Sequence, residues 1–376
     1  MSVLDNIKIA IVADWLTNFA GAEQVVLSIH KMFPEAPIYT SVFNEKKMPQ
    51  FKDAEIKTTF LQKIPYLNKR HQLLLKWMPL AFETLDLSEY DVVISSSHAC
   101  SKGVITKPQT LHVSYCHTPM RSAWDNYHEY IKKYNINPII KKLIPRLMTN
   151  IRIWDRLAAD RVDYFIANSN YIKNRIKKYY RRDSAVIYPP VDTDKPARNT
   201  PPNSEKDYYL AVGRIVPNKN MDLLVEAFNK SKKNLHIIGS GVDLKRLSKK
   251  ANKNIKFLGY INDNNLEQEY TGCRAFIMPQ IEDFGIAPVE AMAYGKPVIA
   301  FAAGGSLETV IEHRTGIFFK EQTIKSLLEA IKRFEKMTFS PELIRRHASK
   351  FSENRFQAEI KKFIEDKYKE WQRYMK

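Results

Sequence analysis

Two series of short apolar runs, each alternating with helical segments, limit this chain to few folds. The runs of the first series cover residues 8–13, 92–95, 111–115 and 164–168, and residues 22–31 between them have helical spacing. Apolar runs of this length favour buried strands, and their alternation with helices favours a parallel sheet covered on both faces. The first series therefore predicts an α/β domain.

A second series follows a segment rich in Pro, Asn, Thr and Ser at 196–206, a composition typical of a linker. Its predicted strands begin at Tyr208, Leu235, Ile255, Ala275 and Pro297, and its predicted helices cover 221–229, 289–294 and 307–312. After residue 353, Phe356, Ile360, Phe363, Ile364 and Trp371 recur at helical spacing. We therefore expect an N-terminal domain at 1–190, a linker at 191–206, a second α/β domain at 207–352, and a helix at 353–376 that packs back across the outside.

The positive charge of the chain is unevenly distributed. The net charge is +18, and residues 101–190 alone carry 17 basic and 6 acidic side chains. Residues 63–80 and 139–156 mix Lys and Arg with Leu, Ile, Met and Trp, which fits either an interfacial amphipathic segment or a packed helix with a solvated basic face. The basic run at 174–182 resembles a nucleic-acid patch or the end of a surface helix. An anionic partner is expected: phosphate-bearing lipid, nucleic acid or an anionic substrate, of which a membrane surface is favoured over nucleic acid. The alternative is charge that serves only solubility.

Several classes of protein do not fit the sequence. No apolar run approaches the ~20 residues of a membrane helix, and the first residues lack the pattern of a secretory signal. Three cysteines, Cys100, Cys116 and Cys273, provide neither a disulfide framework nor a zinc-binding spacing. A reducing, cytoplasmic location is expected. Asp192-Thr-Asp194 has the form of a metal-binding DxD motif, but its place before the linker favours a turn.

Glycine is concentrated in the second series. Ten of the 12 glycines lie between Gly213 and Gly316, and several follow a predicted strand directly. Because glycine permits close approach of the backbone to a ligand, and ligands of open α/β sheets bind at the carboxyl ends of strands, we expect a ligand face there. Gly213 leads through Arg214 and Lys219 toward the helix predicted at 221–229, and two cations beside a helix N-terminus indicate a phosphate or diphosphate site. The alternative is that both are surface charges.

Two carboxylates flank another predicted helix start. Pro288 is predicted as the first helical residue, which places Glu290 in the first turn and Glu282 in the preceding loop. The backbone amides of Gly285 and Ile286 are expected near the N-terminus of this helix. Carboxylates on one rim accept hydrogen bonds from the hydroxyl groups of a sugar or a ribose. The alternatives are charge complementation of the helix for Glu290 and a solvated loop acid for Glu282.

Together these motifs resemble glycosyltransferase family 4. The matching segments are Gly213-Arg214 with Lys219, Glu282 with Glu290, Gly304-Gly305 with Glu308, Ala20-Gly21-Ala22-Glu23, Tyr115 to Asp125, Ala167-Asn168-Ser169, and Tyr188 to Asp192. The His-Thr-Pro-Met-Arg form that begins at His117 resembles the mannosyltransferase-like branch. The resemblance covers nearly the whole chain, and Ala20 departs from it because the family commonly has glycine there.

The resemblance implies an α/β protein of the GT-B fold, with two Rossmann-like domains and the active site in the cleft between them. It implies the retaining transfer of a hexose from a nucleotide diphosphate sugar to an acceptor hydroxyl. The N-terminal domain would bind the acceptor, a glycan or a polyprenyl-diphosphate-linked glycan, and the C-terminal domain the donor. The branch implies mannose from GDP-mannose as donor and a role in polysaccharide or glycolipid biosynthesis, peripheral on the cytoplasmic face of the membrane.

The same resemblance implies roles for single residues. The implied donor-binding residues are Gly21, Arg214, Lys219, Gly285, Ile286 and Glu290. Arg214 and Lys219 would bind the diphosphate and stabilise the leaving charge. Glu282 would hold the hydroxyl groups of the donor sugar, Glu290 would bind the ribose, and His117 would face the sugar from the N-terminal domain. Because two cations replace the charge of a metal ion, no metal is expected.

Some alternatives stay open at this point. Without the motif, His117 is a core histidine after a strand, and His98, which follows three serines, is either a cleft residue or a capping or loop residue. A GT-B sugar-nucleotide epimerase would need no acceptor, and the pair Glu282 and Glu290 favours transfer over it. A basic nucleic-acid-binding protein predicts salt-sensitive binding that survives loss of Glu282. A catalytically inactive scaffold is the third alternative, although all the implied site residues are present.

Overall fold

The computed structural model describes residues 4, 7–64, 74–125, 127–128, 138–194 and 207–375, with 138–140 described by their backbone alone. The chain divides into two compact units: unit 1 combines Met1–Pro190 with Asn354–Lys376, and unit 2 comprises Val191–Glu353. Most of the predicted linker, from residue 195 to 206, lies outside the described residues. So does part of the basic stretch at 63–80, from residue 65 to 73.

Unit 1 is built on a seven-stranded parallel sheet. Its strands are β1 Ile9–Ala13, β2 Ile38–Thr40, β3 Ile56–Thr58, β4 Val92–Ser97, β5 Leu111–Cys116, β6 Tyr164–Ala167 and β7 Ser184–Val186. Their order in the sheet is β3-β2-β1-β4-β5-β6-β7. Every residue of β1 is buried, as expected for a central strand covered on both faces. The strand order changes direction between β1 and β4, so the carboxyl ends of these two strands border the switch point of the sheet.

Four helices connect these strands among the described residues of unit 1. They are α1 Gly21–Met32, α2 Met78–Glu83, α3 Pro138–Asp160 and α4 Asn170–Tyr180. Ala20 precedes α1 with an extended backbone, and the Glu23 side chain accepts a hydrogen bond from its N–H at 3.0 Å. A φ of −151° at Ala20 is open to any residue, so alanine fits where the related motif commonly has glycine.

Unit 2 repeats the design with a six-stranded parallel sheet. Its strands are β8 Tyr209–Val212, β9 Leu235–Ile238, β10 Ile255–Gly259, β11 Ala275–Met278, β12 Val298–Phe301 and β13 Gly316–Phe319, in the order β10-β9-β8-β11-β12-β13. Its helices are α5 Met221–Ser231, α6 Leu244–Ser248, α7 Asp263–Gly272, α8 Ile286–Ala293, α9 Ser306–Thr309, α10 Ile324–Phe334 and α11 Pro341–Ala348. The switch point of this sheet lies between β8 and β11.

The last helix of the chain, α12 Glu353–Tyr374, packs on the first unit. Phe356, Ile360, Ile364 and Tyr368 recur every four residues and are buried in the core that β1 also lines. The Arg355 guanidinium donates a hydrogen bond to the Tyr188 carbonyl oxygen at 2.9 Å. The amphipathic spacing therefore predicted both this helix and the face that it buries.

The predicted fold class is confirmed: there are two parallel Rossmann-like sheets and a C-terminal helix. Four strands were not predicted, namely β2, β3, β7 and β13. The first three have only three residues each, too few for an apolar run to distinguish a strand from a loop, whereas β13 is as long as several strands that were predicted. The helix predicted at 307–312 is wrong in its bounds, since α9 ends at Thr309. Among the described residues, no helix is long and apolar enough to cross a membrane.

Candidate active site

The predicted phosphate-binding residues lie at the carboxyl edge of unit 2, beside its switch point. The chain leaves β8 at Val212 and passes Arg214 before a short 3-10 turn at Pro217–Lys219 leads into α5. Arg214 is exposed, and its guanidinium forms no ion pair with any carboxylate in the described part of the chain. Lys219 is mostly buried, with 17% of its side chain exposed. The predicted placement of both cations ahead of a helix is therefore observed.

A direct contact joins the two sides of this switch point. The Lys219 ammonium group donates a hydrogen bond to Oε1 of Glu282, a residue that follows β11. The same oxygen accepts a second hydrogen bond, from Nε2 of Gln280, at 2.8 Å. Gln280 is buried, and its own amide oxygen has no hydrogen-bond partner among the described residues. Oε1 of Glu282 thus lies between a cation and an amide.

The prediction that Pro288 begins the next helix is wrong. α8 begins at Ile286 after Gly285, whose φ of +92° favours glycine, so Pro288 is the third helical residue. Proline is tolerated there because the first four N–H groups of a helix have no partner within it. Glu290 therefore lies two residues deeper in the helix than predicted, in its second turn, and its Oε2 accepts a hydrogen bond from the Tyr270 hydroxyl at 2.8 Å.

The glycine pair before α9, Gly304 and Gly305, packs against the loop that carries Glu282. Gly304 pairs with Glu282 in an isolated bridge, and the N–H of Gly305 donates to the Glu282 carbonyl oxygen at 2.9 Å. A Cβ on Gly305 would lie 2.4 Å from both Cα and the carbonyl oxygen of Phe284, a distance that backbone atoms cannot accommodate. The turn at Gly304 and Gly305 is thus the backbone surface against which the Glu282 loop packs.

The corresponding edge of unit 1 contains a carboxylate that the sequence did not single out. Asp14 follows β1, is fully buried, and accepts hydrogen bonds from four consecutive backbone N–H groups after β4. His98 and Ala99 donate to Oδ2 at 2.6 and 2.8 Å, and Cys100 and Ser101 donate to Oδ1 at 2.6 and 2.7 Å. Burial alone would raise the pKa of Asp14, but His98 and these N–H groups hold it below its ordinary value.

His117 lies directly after β5 at the same edge. Its Nε2 is 2.8 Å from the Ser96 hydroxyl, and its ring contacts that of Tyr115 edge-on with centroids 5.1 Å apart. Burial, with a smaller contribution from His98, lowers the pKa of His117 to about 3. The imidazole is therefore neutral at physiological pH and offers hydrogen bonds but no charge. Gly21 lies in the same unit as the first residue of α1.

The structure thus brings Lys219 and Glu282 into contact. The other residues of unit 2 that were predicted to bind the sugar donor lie around the same sheet edge: Arg214, Gly285, Ile286 and Glu290. Sequence reasoning missed Gln280 and Asp14. Both come directly after predicted strands, and the rule that ligand sites lie at strand ends could have identified them. No group of three or more His, Cys, Asp or Glu side chains in the described ranges is arranged to hold a metal ion.

Comparison with known protein families gives two adjoining matches. The family described as "Glycosyltransferase Family 4" matches residues 19–195, and that described as "Glycosyl transferases group 1" matches residues 192–370. Together they span both units.

Three individual curated relatives each match only about half of the chain, at low sequence identity. An uncharacterized glycosyltransferase of Methanocaldococcus jannaschii is 30% identical over 48% of this chain and 52% of its own length. The alpha-1,3/1,6-mannosyltransferase ALG2 of Dictyostelium discoideum is 26% identical over 48% of this chain and 54% of its own length. A GDP-mannose-dependent phosphatidylinositol monomannoside mannosyltransferase of Mycobacterium tuberculosis is 28% identical over 47% of this chain and 53% of its own length. The chain thus matches about half the length of these curated relatives.

Solved structures resemble the whole chain. HepE of Anabaena, in complex with UDP and glucose, has a TM-score of 0.71 at 19% identity and covers 96% of this chain and 100% of its own. Sucrose-phosphate synthase of Thermosynechococcus elongatus has a TM-score of 0.68 at 17% identity, covering 96% of this chain and 98% of its own. At these identities the likeness shows the fold alone. The chain belongs to glycosyltransferase family 4, among the group 1 glycosyltransferases, and has the GT-B fold.

Proposed function

We propose that this chain transfers a hexose from a nucleotide diphosphate sugar to an acceptor hydroxyl, with retention of configuration at the anomeric carbon. The observation that carries this proposal is the contact of Lys219 with Glu282 across the switch point of unit 2. A cation ahead of a helix suits a diphosphate. A carboxylate with one oxygen held in place suits the hydroxyl groups of a sugar. One crevice therefore offers partners for both parts of a nucleotide sugar.

In the proposed reaction, the bond between the anomeric carbon and the diphosphate oxygen breaks, and negative charge develops on the diphosphate. The acceptor oxygen bonds to the same carbon from the same face, and its proton passes to the departing diphosphate. Arg214 and Lys219 stabilise that charge at the end of β8. Glu282 orients the donor sugar, Glu290 binds the ribose, and the backbone amides of Gly285 and Ile286, at the start of α8, face the donor. His117 and Gly21 act from unit 1. Hydrogen bonding by Gln280 keeps the Glu282 carboxylate in place when the diphosphate also attracts Lys219.

For the donor we propose GDP-mannose. The relatives from Dictyostelium discoideum and Mycobacterium tuberculosis are named as mannosyltransferases, and the second name specifies GDP-mannose. HepE, whose fold is similar, is named in complex with UDP and glucose, so UDP-glucose is the direct competitor. For the acceptor we propose a glycan or a polyprenyl-diphosphate-linked glycan of polysaccharide or glycolipid biosynthesis.

We also propose that the protein works peripherally on the anionic, cytoplasmic face of a membrane. α3 supports this because it has an exposed apolar face: Leu143, Ile153 and Leu157 are 63%, 56% and 57% exposed. The same helix carries the basic residues Lys141, Lys142, Arg146, Arg152 and Arg156. Each basic residue near an anionic leaflet contributes about 1 kcal/mol, so apolar and basic side chains reinforce each other on this helix.

Flotation with liposomes tests the membrane proposal. We expect the protein to float with vesicles containing anionic lipid and to stay behind with neutral vesicles. Replacing Leu143, Ile153 and Leu157 together by Gln should reduce flotation with anionic vesicles at least about tenfold, since burial of each side chain is worth about 1.5–3 kcal/mol. The control is Leu343→Gln, an exposed leucine on α11 of unit 2. Equal flotation of the triple variant and the control would contradict the proposal.

Donor turnover tests the proposed activity. The purified protein is incubated with GDP-mannose, UDP-glucose, UDP-galactose or UDP-N-acetylglucosamine, with and without a polyprenyl-diphosphate-linked glycan, and released nucleoside diphosphate is measured. We expect release from GDP-mannose, stimulation by the acceptor, and loss in Glu282→Ala. Sugar interconversion without need of an acceptor would indicate the epimerase instead. No release from any donor, together with salt-sensitive nucleic-acid binding, would indicate the binding protein.

Metal removal gives a second expected outcome. Because Arg214 and Lys219 supply the positive charge that faces the diphosphate, transfer should proceed at the same rate in excess EDTA as in buffer with Mg²⁺. The measurement is the initial rate of nucleoside diphosphate release under both conditions. A rate that falls in EDTA and returns when Mg²⁺ is added in excess would overturn this expectation.

A further inference from the structure

Side chains that follow two neighbouring strands also meet at the switch point of unit 1. In unit 2 the contact joins residues that follow β8 and β11, and in unit 1 it joins Asp14, after β1, to His98, after β4. Open α/β sheets bind ligands in the crevice at this position. The chemistry of the two crevices differs, because the crevice of unit 2 contains the ammonium group of Lys219 whereas that of unit 1 contains the imidazole of His98.

The backbone that carries His98 is fixed from two sides. On one side, Asp14 binds the four consecutive N–H groups from His98 to Ser101. On the other, the fully buried Lys102 donates to the Ala99 carbonyl oxygen at 3.0 Å and pairs with the buried Asp155 of α3. Because the Asp14 carboxylate already occupies these N–H groups, the loop is closed to an external anion. What the fixed backbone of this loop does is hold the side chain of His98 in one position.

The side chain presented is the imidazole of His98. Its Nδ1 lies 3.2 Å from Oδ2 of Asp14, and 26% of the side chain is exposed. The ring packs edge-on against Trp15, with centroids 4.5 Å apart, and its centroid is 6.2 Å from that of His117. Nδ1 is buried beside this carboxylate and has no hydrogen-bond partner among the described residues, so Nε2 is the ring nitrogen left to meet a ligand. The two imidazoles and the indole therefore form a polar and aromatic corner that suits a hydroxyl-bearing sugar ring.

We propose that His98, held in place by Asp14, binds a hydroxyl group of the acceptor through Nε2. The inference rests on the proposed function, since it assigns the second substrate of the transfer to the crevice of unit 1. Asp14 acts as a positioning residue, and His98 is the group that touches the acceptor. The open alternative from the sequence, in which His98 is only a loop residue, makes the opposite prediction about acceptor affinity.

Two substitutions of His98 separate these alternatives. In His98→Asn the amide reaches only the position of Nδ1. The contact with Asp14 is therefore kept, and the hydrogen-bonding nitrogen Nε2 is lost. In His98→Gln the amide reaches the position of Nε2. We expect the acceptor KM to rise about tenfold or more in His98→Asn and to return toward the parent value in His98→Gln. The donor KM, the transfer of sugar to water without acceptor, and Tm should stay unchanged in both.

The control is His313→Asn, an exposed histidine of unit 2 whose φ of +67° asparagine also adopts readily. Its acceptor KM should equal that of the parent. Parent-like acceptor KM in His98→Asn would overturn the proposal. A parallel fall of acceptor transfer and transfer to water would also overturn it, because it would indicate a merely structural role.

Binding tested without turnover keeps the inference separate from the proposed function. Protein labelled with ¹⁵N-histidine is titrated with the methyl glycosides of mannose, glucose, galactose and N-acetylglucosamine, and the imidazole signals are followed by NMR. Loss of one signal in His98→Gln assigns the resonance. We expect at least one glycoside to shift the His98 signal while that of His313 stays fixed. No shift with any of the four would contradict the proposal even if donor turnover were established, and a shift would support this sugar site even if no donor were turned over.

Discussion

Lys219→Ala is expected to lower kcat/KM for sugar transfer by about 10²–10³-fold, the range found when one preorganised donor to a developing negative charge is removed. The structure gives a reason to expect the upper part of that range. Without the ammonium group, Gln280 still holds Oε1 of Glu282 next to the diphosphate, but the cation that pairs with this carboxylate in the structure is gone. The measurement is the initial rate of nucleoside diphosphate release across donor and acceptor concentrations.

Lys233→Ala is the matched control for this variant. Lys233 belongs to the same unit and also pairs with a carboxylate, Glu335, but it follows α5 and precedes β9, at the opposite edge of the sheet. Its loss should leave the transfer rate unchanged. Comparable losses in the two lysine variants would mean that the effect of Lys219 is on folding and not on the donor.

The coupling between the two charged residues provides a sharper test. If Glu282 repels the diphosphate once Lys219 is gone, then Glu282→Gln in the Lys219→Ala background should bind nucleoside diphosphate more tightly than Lys219→Ala alone. Residues in direct contact show such non-additive effects in double-mutant cycles. Independent, additive losses of diphosphate affinity would show that the contact seen in the structure has no role in donor binding.

The residues at the carboxyl edge of unit 2 could be predicted from the sequence, whereas their contacts could not. Gly213, Arg214 and Lys219 lie within seven consecutive positions after an apolar strand, and the strand-end rule is enough to place them. The hydrogen bonds of Glu282 depend on Gln280 and on a lysine 63 positions earlier in the chain, which only the pairing of β8 with β11 brings close. Contacts between residues so far apart in the chain leave no local pattern in the sequence.

The wrong start of α8 has a local cause. A proline in the first turn of a helix is compatible with the first, second or third position, since none of these N–H groups is bonded within the helix. Pro288 therefore limits the start of α8 to a short range without fixing it. The residue that fixes it is Gly285, whose positive φ ends the preceding loop, and a single glycine in the sequence does not reveal its φ angle.

Asp14→Asn is expected to destabilise unit 1 by about 3–6 kcal/mol, since two hydrogen bonds to a charged acceptor are lost at about 1.5–3 kcal/mol each. An asparagine side chain offers one oxygen and one NH₂ group, and the NH₂ group would face two N–H donors of the His98–Ser101 loop. A domain has about 5–15 kcal/mol of stability in total. The substitution therefore removes a large part of it.

Tryptophan fluorescence measures this loss in unit 1 separately. All five tryptophans, at positions 15, 77, 124, 154 and 371, belong to unit 1, so the denaturant midpoint followed by their emission reports on that unit. The control is Asp160→Asn: its exposed carboxylate pairs with Arg156, four residues earlier, and with no other cation among the described residues, so its loss should change stability by less than about 0.5 kcal/mol. Equal midpoints for the two variants would show that the four N–H contacts of Asp14 contribute nothing to folding.

The sign of the pH dependence follows from the lowered pKa of Asp14. Because the folded protein holds this carboxylate ionised at a lower pH than the unfolded chain does, its stabilisation is fully present above the ordinary pKa of 3.8 and is lost as the pH falls through the folded value. Asp14→Asn has no such group. The stability difference between parent and variant should therefore be constant at neutral pH and shrink only in acid. A difference that already shrinks near pH 6 would point to a histidine of the same edge, and would contradict Asp14 as the source of the stabilisation.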